Sequence, residues 1–75
     1  MIKKIKVSGE YIQLNQLLKL TNLAMSGGAA REMIEQGLVM VNGEVEDKIR
    51  KKIRHGDRVE VGKNVITVET DEGDR

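Results

Sequence analysis

The spacing of apolar residues changes from helical to alternating at Gly37, and that change restricts the fold more than any other feature. Before it, Leu14, Leu17 and Leu18 recur at helical spacing, Leu20, Leu23 and Ala24 widen the stripe, and Ala30, Met33 and Ile34 form a second such face. After it, Val39 and Val41 share one strand face, and Val59 and Val61, then Ile66 and Val68, alternate with other residues. The pattern predicts two helices followed by short strands, the first helix over about residues 13–21. Ser26 can cap the second helix, because its hydroxyl can accept a hydrogen bond from a first-turn amide. Gly37 stands where a helix commonly closes on a left-handed residue.

Turn chemistry supports the strands. Asn42-Gly43 is a tight-turn pair after which Val45 is expected to resume the apolar face. His55-Gly56-Asp57 and Gly62-Lys63-Asn64 read as further reversals. Upstream, Lys4-Ile5-Lys6-Val7 alternates until Ser8-Gly9, so residues 1–11 read as an N-terminal arm or short strand. Residues 12–68 form the expected domain. Residues 69–75 are acidic, have no apolar anchor and are expected to be disordered. A length of 75 residues allows one small core. The fold class expected is α+β, with two short helices packed against a small antiparallel sheet.

The residue inventory argues against catalysis. The sequence has no cysteine and one histidine, His55, so thiolate nucleophiles, thiolate metal sites and disulfides are excluded. Its scattered serines form no nucleophile–base–orienter set. Glu44, Glu46 and Asp47 read as a solvated turn, and His55 as a turn residue. Gly27-Gly28 lacks the Lys-Ser or Lys-Thr that a P-loop requires. Nothing implies a cofactor or a small-molecule substrate. The basic start, Met1 to Lys6, is followed by no apolar run, so neither a signal peptide nor a membrane span is expected. A soluble, cytoplasmic, monomeric protein fits these features.

The formal net charge of +1 conceals an asymmetry. The last seven residues hold four acids and one base, which leaves +4 on residues 1–68. Between positions 48 and 58, Lys48, Arg50, Lys51, Lys52, Arg54 and Arg58 face Asp57 alone. So many like charges in one loop repel each other unless an anion neutralises them. With no Phe or Trp and only Tyr11, the chain cannot build the aromatic sheet or groove that reads splayed single strands. Phosphates and shape are therefore the expected targets. In Ser26-Gly27-Gly28-Ala29-Ala30-Arg31, a helix N-terminus with bare backbone would suit a phosphate, and Arg31 shares the helical face of Gly27. The same residues also fit a structural role, in which the glycines let two helices approach and Arg31 pairs with Glu35. Lys19 falls outside the apolar stripe and is expected to face solvent.

The ordered pattern Ser26-x-x-Ala29-Ala30-Arg31-x-x-Ile34-x-x-Gly37-x-Val39-x-Val41-Asn42-Gly43, followed by Gly56-Asp57-x-Val59-x-Val61, resembles the RNA-binding domain of ribosomal protein S-four, the alpha-L motif. The resemblance covers about residues 12–68 and suggests a short stand-alone bacterial member. It implies that structured RNA, ribosomal or transfer RNA, lies along the helix pair and the basic loop. It also implies a role in ribosome assembly or translation, with the ribosome or an assembly factor as a possible companion. The candidate contact set is Lys19, Ser26, Gly27, Gly28, Arg31, Lys48, Arg50, Lys51, Lys52 and Arg54. Two positions depart from the family pattern: Gln13-Leu14-Asn15 replaces Arg-Leu-Asp, and Gly27 replaces an arginine after the cap serine. The alternative, from a different class, is a protein-interaction module that docks an acidic protein surface on its basic loop.

Overall fold

The computed structural model describes residues 1–71. In chain order the elements are β1 (Ile2–Val7), β2 (Tyr11–Gln13), α1 (Leu14–Leu20), α2 (Gly27–Glu35), β3 (Val39–Val41), β4 (Glu44–Val45), β5 (Lys52–Arg54), β6 (Arg58–Val61) and β7 (Asn64–Thr70). Five strands make one sheet in the order β1-β7-β6-β3-β4, and β2 with β5 makes a separate two-stranded ribbon. The two helices pack on a sheet that is antiparallel except where β1 runs parallel to β7. Among the described residues, no helix is long and apolar enough to cross a membrane.

One core joins these parts. Leu14, Leu17 and Leu18 of α1 and Ala30 and Ile34 of α2 are buried with Val39, Ile53, Val59, Ile66 and Val68 from the strands. The helical and alternating stripes thus meet on opposite sides of a single apolar layer. α1 ends at Thr21, whose hydroxyl donates to the Leu17 carbonyl at 2.8 Å, and Asn22 follows at φ 62°. α2 starts as its sequence indicates: the Ser26 Oγ accepts from the Ala29 amide at 3.0 Å. It ends with Gly37 at φ 75°, whose amide donates to Ile34 while that of Leu38 donates to Met33, a Schellman closure.

Three local expectations change. Leu20 is 53% exposed, because it lies six positions after Leu14 and off the buried i, i+3, i+4 face. Val45 is 62% exposed. The two-residue turn at Asn42-Gly43 sets Glu44 opposite Val41 and Val45 opposite Met40, which turns Val45 away from the face of Val39 and Val41. The final strand also continues past Val68. Thr70 is buried and its amide donates to the His55 Nδ1 at 3.1 Å, while Gly9 and Asp71 exchange two hydrogen bonds. Residues 69–71 are therefore ordered, and the remainder of the expected disordered segment, 72–75, lies outside the described residues.

Asp57 ties the two turns of the sheet together. Its carboxylate accepts from the Asn42 Nδ2 at 3.0 Å and from the Arg54 amide at 2.7 Å, and the Asn42 Oδ1 accepts from the Arg58 amide at 2.9 Å. The Val41-Asn42-Gly43 and Gly56-Asp57 segments are thus two halves of one clasp. Asp57→Ala should lower unfolding stability by about 1–2 kcal/mol, the scale of hydrogen bonds to a charged group near the surface. Urea denaturation of Asp57→Ala, Asn42→Ala and the double variant would check this. A double variant that shows the sum of the two single losses would mean that the clasp does not act as a unit.

Candidate nucleic-acid interface

The basic loop is placed by the start of α1. Gln13 sits at the N-cap in an extended conformation, yet its side chain makes no capping bond. The helix instead donates its first amides across the chain, Leu14 to the Lys51 carbonyl at 2.8 Å and Asn15 to the Ile49 carbonyl at 3.1 Å. Those bonds satisfy donors that a helix start would otherwise leave open. Ile49, half-buried, packs against the core and anchors the loop from beneath. The cations at 48–52 therefore project from a fixed backbone.

This docking brings the loop to the start of α2. Asn15, Gly27, Gly28, Arg31, Ile49 and Arg50 together line an open groove of about 480 Å³. At its α2 wall the Ser26 hydroxyl takes the Ala29 amide, which leaves the Gly27 and Gly28 amides as first-turn donors without an intrahelical acceptor. The groove also holds a buried acceptor: the Asn15 Oδ1 has no hydrogen-bond partner. Arg31 pairs with Glu35, Nε to Oε1 at 3.5 Å, but both side chains are more than half exposed, so the pair is weak and open to competition.

Close helix approach does not explain the glycines. A Cβ on Gly27 would meet nothing within 4 Å, and one on Gly28 would meet only the Ser26 Oγ at 3.9 Å. Neither residue has a positive φ. The bare backbone faces open space beside Arg31 and Arg50, whereas the Arg31–Glu35 pairing is present as the structural alternative required.

The other candidate bases divide into groups. Lys19 is exposed one helical turn after Asn15, in a shallow depression shared with Ile12, Gln16 and Leu20. Lys51, Lys52 and Arg54 line a different groove, of about 600 Å³, with Asn42, Glu44, Glu46 and Asp57. Lys48 is exposed on the turn, where its amide donates to the Glu46 Oε2 at 3.0 Å. Lys52 and Arg54 also lie against the Tyr11 ring, with the Lys52 Nζ at 5.0 Å and the Arg54 Cζ at 5.6 Å from its centre. Asn15, Ile49 and Tyr11 are the site neighbours absent from the expected set. Only Asn15 carried a local signal, as a polar residue on the helical line of Lys19.

The sequence matches the family model described as S4 domain over residues 5–69. The chain belongs to the S4 domain family. Over 61 residues it is also 36% identical to a Bacillus subtilis (strain 168) protein named "Probable ribosome maturation protein RlbA", a match spanning 81% of this chain and 86% of that protein. The matched segment of this S4 domain contains α1, α2, the basic loop and the β2–β5 ribbon, so every wall of the groove lies inside it.

The open space over the glycines gives a stability test that is independent of any ligand. Gly27→Ala and Gly28→Ala should each leave thermal stability unchanged or raise it by up to about 1 kcal/mol, because alanine lowers the unfolded-chain entropy at no steric cost. A clear loss in either variant would mean that packing, not an open interface, requires glycine there.

Proposed function

We propose that this protein binds structured RNA through its phosphate backbone and serves ribosome maturation, with ribosomal RNA as the partner and no catalytic step. The observation that carries the reading is the groove in which the bare first turn of α2 meets Arg31 and Arg50 within an S4 domain. A phosphate in that groove would receive the Gly27 and Gly28 amides, the positive end of the α2 dipole and two guanidinium groups. Lys19 extends the surface along α1, and Lys48, Lys51, Lys52 and Arg54 extend it along the loop and ribbon. Recognition would rest on the shape of a folded RNA, since one aromatic ring cannot read a strand. The ribosomal assignment follows the relative named for ribosome maturation, and a cytoplasmic setting follows from that assignment.

Binding to folded ribosomal RNA fragments should be steeply salt-dependent. Engagement of about five phosphates gives a log–log slope of roughly −3.5 to −4.5. Arg50→Glu combined with Lys52→Glu should weaken binding at all sequences and reduce that slope by about 2. Gly28→Ala, despite its unchanged stability, should weaken binding by about two- to fivefold through the lost helix-terminus contact. Equal affinity of wild type and the double variant, or no RNA binding at low salt, would overturn the reading and direct attention to an acidic protein surface as the partner of the loop.

A further inference from the structure

The β2–β5 ribbon has an outward face that phosphate binding alone does not explain. Ile12 and Ile53 pair across the ribbon and point to the core, so strand alternation sends Tyr11, Gln13, Lys52 and Arg54 to the opposite side. Register sets Tyr11 opposite Arg54 and Gln13 opposite Lys52. The result is the chain's single aromatic residue, Tyr11, 39% exposed as a whole, with two cationic groups over its ring within 6 Å of the centre and, in the same strand, a Gln13 side chain that caps nothing. Both strands run directly into the RNA-facing groove, β2 into Asn15 through the start of α1 and β5 back to Arg50 through the docked loop.

We propose that this face holds one unpaired nucleotide of the bound RNA, with its base stacked on Tyr11 and its edge within reach of the Gln13 amide. Lys52 and Arg54 take the flanking phosphates. The inference rests on the RNA reading above and deepens it: the groove grips the folded backbone, and the ribbon selects a fold with a bulged or terminal base next to it. The chemistry is complementary at each point. The π-face of a nucleobase stacks on an aromatic ring largely regardless of sequence. The amide offers both a donor and an acceptor to a base edge. The two cations meet the charge that an extruded nucleotide carries on either side. Cation–π contact by itself would make Tyr11 only a strand-stabilising residue, but that role requires neither the partial exposure of Tyr11 nor a Gln13 side chain that caps nothing.

The composition supplies the probe. With one tyrosine and no tryptophan, the intrinsic fluorescence of the full chain comes from Tyr11 alone. The test titrates the protein with two RNA hairpins of identical stem, one with a single bulged adenine and one fully paired. The expected result is fluorescence quenching and upfield-shifted Tyr11 ring protons with the bulged hairpin only, and a preference for it of about 5- to 30-fold. Tyr11→Phe should keep that preference in a competition assay. Tyr11→Ala should abolish it, costing the bulged hairpin clearly more affinity than the paired one. Unchanged fluorescence with the bulged hairpin bound, or an equal loss for both hairpins in Tyr11→Ala, would overturn the stacking site and leave the phosphate groove standing. Failure of the wild type to bind either hairpin would overturn the RNA reading itself, and this inference with it.

Discussion

The two hydrogen bonds from the first amides of α1 to the carbonyls of Ile49 and Lys51 organise the half of the molecule that carries the basic loop. A helix start needs acceptors, and Gln13 does not supply one. The loop supplies them, and in doing so gives up the conformational freedom that a run of cations would otherwise exploit to spread apart. From that single exchange follow the closeness of Arg50 to the first turn of α2, the burial of Ile49, and the alignment of β5 with β2. The exposed charges remain exposed, but their backbone is part of the scaffold. Side chains held on such a backbone lose less freedom when they bind a partner.

The charged loop is also less uniform than its composition implies. Arg50 enters a groove whose other polar residues are Asn15 and Arg31. Lys51, Lys52 and Arg54 share theirs with Glu44, Glu46 and Asp57. Of those acids, Asp57 is committed to the clasp with Asn42, and Glu46 accepts from the Lys48 amide. Asp57 and Glu46 therefore serve the framework, and with Glu44 they lower the local positive potential on one side of the loop. Among the described residues lining the groove at the start of α2 there is no carboxylate, and the acid nearest its cations is Glu35, paired outward with Arg31.

Features that are encoded within a few residues were legible in the sequence. The Ser26 cap, the Gly37 closure, the Asn42-Gly43 turn and the period change each depend on neighbours along the chain, and each is present. Ser26, the two glycines and Arg31 were legible together as the first turn of one helix for the same reason, whereas the approach of Arg50 to that turn was not. The β2–β5 ribbon was not, because three-residue strands some forty positions apart leave no periodic trace. The face of Val45 depends on turn register, which hydrophobicity alone does not specify. The last residues of β7 read as part of an acidic tail, although Thr70 closes the sheet against His55. Which bases share a groove depends on the docking of the loop, and that is a tertiary event.

The parallel pairing of β1 with β7 joins the most distant parts of the described chain. It imposes an order on assembly. The helices and the β3–β6 region can form from contacts of short or moderate separation, whereas the β1 edge must wait until the last strand exists. Closing so long a loop is slow relative to local structure, because its entropy is lost before the contacts reward it. During vectorial synthesis, the lysine-bearing β1 is therefore left without its partner until the residues of β7 have been made. Lysines at positions 3, 4 and 6 are the kind of charge that disfavours pairing of such an edge with other chains.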